Sequence, residues 1–139
     1  MGRVRAKRLE CVASVEEDGV IYAEGDSPIE LPPAWTSEHL LLVAVGRCTL
    51  KSLRYYARGA EVAGRVSMHG TVTRRDTDGR YALVEAQVDL DVRIDPEPAV
   101  HQLAELLERA EAGCFIGNSL TVHPTYAWRV NGRPVPREG

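Results

Sequence analysis

Long apolar runs are missing from this sequence. No stretch approaches the roughly 20 consecutive apolar residues of a membrane-spanning helix, and the first twelve residues, MGRVRAKRLECV, contain no apolar signal-peptide core. We therefore expect a cytoplasmic protein with no membrane partner. The chain has 139 residues, of which 44% are hydrophobic and 27% charged, so it is long enough for one domain with its own core.

An excess of positive charge is missing as well. The net charge of -3 gives the chain no general attraction to nucleic acid. Four basic residues near the start alternate as the residues of a strand do, and no aromatic platform for stacked bases accompanies them. They are Arg3, Arg5, Lys7 and Arg8. We expect no nucleic-acid partner.

Cysteine is scarce, and its spacing argues against common metal sites. The three cysteines, Cys11, Cys48 and Cys114, form no C-x-x-C pair and no Cys/His pair at ligand spacing, and the four histidines are scattered. In a reducing compartment they do not predict a structural disulfide framework. We predict no metal site and no cofactor.

The hydrophobic pattern predicts an α+β fold with antiparallel pairing rather than a βαβ series. A meander of three short strands comes first, then a long helix that begins near Ser37, two longer strands, a second helix and a last strand. In the second helix Asp95 is the predicted cap, Pro96 the first helical position, and Val100 and Ala104 belong to the apolar face. Predicted bounds are strands 3–14, 20–24 and 29–31, helix 37–58, strands 66–73 and 84–94, a helix ending at Gly113, strand 125–130 and a loose tail, 131–139.

The long helix carries only one polar stripe. Arg47, Lys51, Arg54 and Arg58 follow one another at helical spacing, and nearly every other position is apolar or small. A single sheet covers only one face of such a helix. The remaining apolar surface therefore requires a second helix or a second subunit.

Cys48 borders this basic stripe. At 100° per residue it lies about 60° from Lys51 and about 100° from Arg47. Nearby cations favour the reactive thiolate. Cys114 follows a glycine and can open a short helical turn, whose dipole would favour its thiolate. Two such cysteines can act as attacking and resolving thiols if their Cα atoms lie within about 7 Å. The alternative is that each is a buried, inert packing residue.

Two motifs resemble the OsmC/Ohr superfamily of thiol-dependent hydroperoxide reductases, and the OsmC-like branch in particular. The first, SEHLLLVAVGRCTLKSLRYYARG (37–59), is similar to the family's central helix, in which an acidic residue precedes the reactive cysteine by ten positions, as Glu38 precedes Cys48. The second, ERAEAGCFIGNSL (108–120), is similar to the Cys-Pro-x-Ser-x-x-Leu segment that carries the second cysteine, here Cys114.

The resemblance covers about residues 4–131 and implies a single OsmC-like domain in an intertwined homodimer. Antiparallel sheets would wrap around two central helices, one from each chain. A thiol-dependent peroxidase is implied, in which Cys48 attacks an organic hydroperoxide and becomes a sulfenic acid, and Cys114 condenses with it to a disulfide. The implied reductant is a small-molecule or lipoyl-type dithiol. Glu38 would be the third catalytic residue, because the family's acidic residue orients an arginine beside the thiolate.

The surroundings of Cys48 supply candidates for binding substrate and stabilising the thiolate. The apolar candidates would favour alkyl or lipid peroxides over hydrogen peroxide. The candidates are Arg47, Lys51, Leu41, Val45 and Tyr55.

The chain departs from the family pattern in two places. Relatives carry the thiolate-binding arginine in the N-terminal hairpin, where this chain has Glu16 or Glu17, and no arginine occurs between Arg8 and Arg47. An anion at that point would raise the pKa of the thiol. The second motif reads CFIG, without the proline and serine. The alternative function is a non-catalytic dimer of the same fold that binds a small ligand or senses redox state.

Overall fold

The structure is a computed structural model that describes residues 6–136, and it divides at Thr36 into two compact units. The first unit contains an antiparallel meander in the order β1-β2-β3, as predicted. Its strands are β1 (Ala13–Val15), β2 (Ile21–Ala23) and β3 (Ser27–Ile29).

The first strand is much shorter than the predicted 3–14. Residues 6–12 are not in a strand, and residues 3–5 lie outside the described residues. The reason is that β2 offers only three partners, from Ile21 to Ala23, between two turns. The second strand also ends one residue before the predicted end at residue 24, because Glu24 and Gly25 adopt positive φ angles of 54° and 90°.

The second unit places α-helices against a four-stranded sheet of order β4-β5-β6-β7. Alternate residues of β5 and β6 are buried and form one core cluster with side chains of the first two helices, so one sheet face is covered and the other is polar. The elements are α1 (Ser37–Tyr56), β4 (Glu61–Arg74), β5 (Tyr81–Asp95), α2 (Val100–Ala112), α3 (Phe115–Ser119), β6 (Thr125–Val130) and β7 (Arg133–Val135).

Helix α1 confirms the prediction of a long helix, although it ends two residues before Arg58. Gly59 follows with a φ of +95°, a conformation that glycine adopts without strain. The four residues of the basic stripe are exposed. The opposite face is buried and packs on α2 and β4. Its buried residues are Val45, Gly46, Thr49, Ser52 and Leu53.

Helix α2 begins at Val100 with Ala99 as its N-cap, so the predicted start at Asp95 and Pro96 is wrong. Asp95 is instead the last residue of β5, where it pairs with Glu61 of β4. The ladder continues through Asp95 and leaves Pro96 in the connection. With this later start Val100 is 87% exposed rather than part of the core. Ala104 is also exposed, and the buried face is built on Leu103, Leu107 and Ala110.

Strands β5 and β6 pair in parallel, which corrects the prediction of purely antiparallel pairing. The chain leaves β5, crosses through α2 and α3 and returns to the same edge of the sheet, and this is one βαβ unit. The predicted loose tail is also wrong for residues Arg133–Val135, which form β7 and pair with β6. Residues 137–139 lie outside the described residues. Among residues 6–136 no helix is both long and apolar enough to cross a membrane.

Candidate functional site

The fold brings Cys48 and Cys114 together. Cys48 lies in the middle of α1 and is partly exposed, whereas Cys114 caps the N-terminus of α3 and is 0% exposed. The two thiols are close enough that Cys114 influences the pKa of Cys48. The short helical turn expected after Gly113 is therefore present, and it places the second thiol against the first.

Gly113 explains why the two cysteines meet. It caps α2 with ordinary right-handed backbone angles, so its role here is size rather than conformational freedom. A Cβ atom at this position would lie 2.5 Å from Ser52 Oγ and 3.0 Å from Tyr56 Cε2, both on α1. The missing side chain lets the end of α2 approach α1 closely, and Cys114 follows directly.

The sulfur of Cys114 is surrounded by hydrogen-bonding groups. It accepts from Gly117 N at 3.4 Å and from Thr49 Oγ1 at 3.4 Å, and it donates to the carbonyl oxygen of Val45 at 3.7 Å. Thr49 Oγ1 also reaches the Val45 oxygen, at 2.9 Å. Thr49 and Cys114 are both fully buried. The buried thiol is thus held by groups from α1 and α3.

Tyr126 on β6 closes the site from the sheet side. It is 7% exposed, and its hydroxyl lies close enough to the side chains of Thr49 and Cys114 for both to influence its pKa. Burial raises the pKa of Tyr126 to about 12, and the charge of a nearby Cys114 thiolate also raises it. The phenol therefore stays protonated at neutral pH and can donate a hydrogen bond to sulfur.

Sequence reasoning did not find Thr49 or Tyr126 as site residues. The alternation of TYAWRV could have indicated that Tyr126 points into the core with Trp128 and Val130. Thr49 follows Cys48 directly on a face of α1 that proved to be buried. What the pattern could not give is the crossover that brings Tyr126 of β6 close to Thr49 and Cys114.

The environment of Cys48 disfavours its thiolate. Burial is the largest influence and raises the pKa of Cys48, as do the hydrogen bond and the charge of Cys114. Hydrogen bonds from the backbone N–H groups of Ile116 and Phe115 act in the opposite direction but do not outweigh it. None of these leading influences is a cationic side chain. Cys48 is a protonated thiol at neutral pH in this arrangement.

The other predicted site residues are spread along α1. Arg47 and Lys51 are exposed. Val45 is 0% exposed and offers its backbone oxygen to the site. The other three lie further along the helix. At 1.5 Å per residue, Leu41 and Tyr55 are each about 10 Å from Cys48 along the helix axis, and Glu38 is about 15 Å away. Residues 6–136 contain no group of three or more metal-ligating side chains placed to hold an ion.

Comparisons with known proteins agree with this architecture. Residues 26–129 match the family model described as OsmC-like protein. None of the curated proteins matches the chain. Among solved structures, an OsmC-like protein from Vibrio cholerae has a TM-score of 0.67 at 15% identity and covers 88% of this chain and 100% of its own. An OsmC-like protein from Mycoplasma pneumoniae has a TM-score of 0.62 at 18% identity and covers 91% and 99%. The organic hydroperoxide resistance protein OhrB of Bacillus subtilis has a TM-score of 0.54 at 17% identity and covers 86% and 96%.

Proposed function

The chain belongs to the OsmC-like protein family, and from this we propose that it is a thiol-dependent peroxidase that reduces organic hydroperoxides. The observation that carries the proposal is the proximity of the two thiols, since Cys114 lies close enough to influence the pKa of Cys48. Cys48, which is partly exposed, can be reached by a peroxide, and the buried Cys114 beside it can then form a disulfide with the oxidised Cys48. The organic hydroperoxide resistance protein of Bacillus subtilis, which has the same fold, adds support.

The first step is nucleophilic attack by the Cys48 thiolate on the terminal oxygen of the hydroperoxide. An S–O bond forms while the O–O bond breaks, and the alkoxide takes a proton and leaves as an alcohol. The sulfur is oxidised to a sulfenic acid and the peroxide is reduced. Backbone N–H groups of Phe115 and Ile116 stabilise the attacking thiolate.

The second step joins the two cysteines. The sulfur of Cys114 attacks the sulfenic sulfur of Cys48, so an S–S bond forms and the S–O bond breaks. The departing hydroxide leaves as water with the proton that Cys114 gave up. A dithiol, either a small molecule or a lipoyl group, then reduces the disulfide by thiol exchange and is itself oxidised to a disulfide.

A homodimer is part of the proposal. Exposed apolar residues on α1 include Leu40 at 37%, Val43 at 36% and Tyr55 at 60%. In the first unit Val15, Ile21 and Ile29 form one cross-strand row on strands of three residues each, too small a sheet to bury a core of its own. An intertwined second copy would cover such surfaces. It would also offer Arg47 or Lys51 as the cation that the thiolate lacks, and Glu38 to orient it.

The proposed substrate is an alkyl or aryl hydroperoxide rather than hydrogen peroxide. Partly buried Leu41 and exposed Tyr55 flank Cys48 along α1, seven residues away on either side. Apolar side chains of this kind gain free energy by covering an alkyl or aryl group. Hydrogen peroxide has no such group to bury.

The test is peroxide consumption by the purified chain with a dithiol reductant. Cumene hydroperoxide and tert-butyl hydroperoxide should turn over faster than hydrogen peroxide. Cys48→Ser should abolish turnover, and Cys114→Ser should stop the cycle after one oxidation of Cys48. Cys11→Ser is the matched control and should behave as the wild type, because Cys11 is exposed and belongs to the other unit. Turnover that survives Cys48→Ser, or is absent from reduced wild type, would refute the proposal.

The raised pKa of Cys48 favours a second candidate, a redox-sensing dimer. A protonated thiol reacts slowly with peroxide, which suits a protein that forms the Cys48–Cys114 disulfide once and is not continuously reduced. The same assay separates the two functions. A sensor consumes one equivalent of peroxide per chain and then stops, even when dithiol is present. A dimer that only binds a small ligand would retain it stoichiometrically and consume no peroxide.

A further inference from the structure

We propose that the hydroxyl groups of Thr49 and Tyr126 form a positioning pair for Cys114, which promotes its attack on oxidised Cys48. The inference rests on the proposed function, since it concerns the second step of that cycle. Both residues would act through the sulfur of Cys114 rather than on the peroxide.

Thr49 provides a donor that can change partners. Its hydroxyl carries one proton but lies near two acceptors, the Val45 carbonyl oxygen at 2.9 Å and the Cys114 sulfur at 3.4 Å. While Cys114 is a thiol, its own S–H faces the same carbonyl, at 3.7 Å. When Cys114 gives up its proton, rotation of the Thr49 hydroxyl turns its O–H from the carbonyl to the sulfur. No backbone movement is needed.

Tyr126 supplies a second hydroxyl from a different element. A Cβ atom at Gly117 would lie 2.9 Å from the Tyr126 hydroxyl oxygen and 3.5 Å from the Cys114 sulfur, so both atoms border the same small gap. Gly117 N donates to the sulfur at 3.4 Å. Donors from α1 and α3 therefore contact the sulfur, and the hydroxyl from β6 borders the same gap, which a residue larger than glycine would fill.

Burial strengthens the hydrogen bonds around the Cys114 sulfur. Thr49 and Cys114 are 0% exposed and Tyr126 is 7% exposed. Water is thus largely excluded from the sulfur, and hydrogen bonds to a charged atom are strong in such surroundings. A buried thiolate without donors would be costly to form. The pair lowers that cost at the moment when Cys114 must act as a nucleophile.

Packing alone would explain Thr49 less well. A buried threonine in a helix often donates to the carbonyl four residues earlier, as Thr49 does to Val45. That backbone hydrogen bond does not explain why the Thr49 hydroxyl also contacts the Cys114 sulfur, or why the Tyr126 hydroxyl lies near the same atom. The titratable groups that face Cys114 are Cys48 on α1 and Tyr126 on β6. On α2, Glu111 accepts a hydrogen bond from the Trp128 indole N–H at 3.2 Å.

The test measures the second step alone. Reduced protein receives one equivalent of cumene hydroperoxide, and the decay of the Cys48 sulfenic acid into disulfide is followed by dimedone trapping and mass spectrometry at several pH values. The formation of sulfenic acid is timed separately in each variant, so a defect in the first step is not mistaken for one in the second. Thr49→Val and Tyr126→Phe should each slow disulfide formation by about tenfold and move its pH profile to higher pH.

Two further variants separate hydroxyl chemistry from packing. Thr49→Ser keeps the hydroxyl and should resolve at nearly the wild-type rate. Tyr81→Phe is the control, because Tyr81 is 70% exposed and its ring faces Arg74 rather than the site. Wild-type rates and pH profiles in both Thr49→Val and Tyr126→Phe would overturn the inference, as would a Thr49→Ser variant as slow as Thr49→Val. A wild-type chain that forms no sulfenic acid would overturn the proposed function itself.

Discussion

At the scale of single residues, the protonation of Cys48 decides how fast the proposed first step runs at neutral pH. Its pKa is raised above the ordinary value of 9.0, with burial as the largest cause. Because only the thiolate attacks, the reaction of Cys48 should become faster as pH rises and should still be increasing above pH 9. A cation beside the thiol would move this profile to lower pH.

We expect iodoacetamide to alkylate Cys48 slowly at pH 7 and more than tenfold faster at pH 9, since the thiolate fraction grows about tenfold per pH unit below the pKa. The rate is measured on the Cys48 peptide by mass spectrometry in a Cys11→Ser background. A half-maximal rate near pH 7 would contradict this expectation. It would mean that a group outside the surroundings described here, such as a cation of the second copy, stabilises the thiolate.

The sequence predicted the two cysteines of the site but not the two hydroxyl groups beside them. Cys48 and Cys114 could be proposed from the sequence because thiols are rare, but the influences that raise the pKa of Cys48, burial and Cys114, come from the fold rather than from its sequence neighbours. Thr49 and Tyr126 could not, because their contribution depends on three elements meeting around one sulfur. Helical spacing identified the basic stripe correctly, but it does not report which cation reaches a thiol.

At the scale of elements, the contact between α1 and the end of α2 positions the site. Gly113 lies so close to α1 that a Cβ atom would meet Ser52 Oγ at 2.5 Å. Ser52 is itself unusual, because among the described residues its buried hydroxyl has no hydrogen-bond partner. The unpaired hydroxyl of Ser52 therefore lowers the stability of the fold, whereas the absence of a side chain at Gly113 is needed for α1 and α2 to pack this closely.

Gly113→Ala should lower the free energy of unfolding by about 1–3 kcal/mol, because the added methyl forces α1 and α2 apart. It should also slow disulfide formation between Cys48 and Cys114, since Cys114 is the next residue. Ser52→Ala should be neutral or stabilise the chain by up to about 1 kcal/mol, because it removes a buried hydroxyl without a partner. Urea unfolding measures both changes.

The double variant is the matched control for this contact. Ser52→Ala removes one of the two atoms that the new methyl would meet, so it should recover part of the stability lost in Gly113→Ala. Tyr56 Cε2 remains at 3.0 Å and limits the recovery. Strictly additive effects in the double variant would show that Ser52 and Gly113 do not press on each other.

The order of the elements up to β6 was predictable, whereas β7, the ends of the elements and one pairing direction were not. Clean alternation identified β5, and a single polar stripe identified α1. The Asp95-Pro96 pair has the chemistry of a helix start, but the ladder with β4 extends to Asp95 and overrides that local preference. The parallel pairing of β5 with β6 depends on the crossover through α2 and α3, and no local pattern encodes it.

At the scale of the whole molecule, α1 exposes apolar residues that a partner surface would cover. Leu40, Val43 and Tyr55 are each at least one-third exposed. They belong to a helix that is apolar around most of its circumference, so their exposure leaves apolar surface in contact with water. A second copy of the chain is the proposed cover. We expect light scattering after size-exclusion chromatography to give a mass of twice 15.3 kDa.

Val43→Asp should weaken this dimer at least tenfold, because it would place a charge in an apolar interface without a partner. Val72→Asp is the matched control: Val72 on β4 is similarly exposed, at 43% against 36% for Val43, but it does not lie on α1. Equal weakening by both variants, or a monomeric wild type, would contradict an interface on α1.

The Val43→Asp variant can also show whether dimerisation is needed for disulfide formation or only for peroxide turnover at neutral pH. Cys48, Cys114, Thr49 and Tyr126 all belong to one unit of one chain, so a monomer retains the parts needed to form the disulfide. What it would lose is any cation that the second copy supplies. A Val43→Asp monomer should therefore still form the Cys48–Cys114 disulfide under strong oxidation, while its peroxide turnover at pH 7 falls much further than its turnover at pH 9. An equal fall at both pH values would argue that the second copy contributes shape rather than charge to the site.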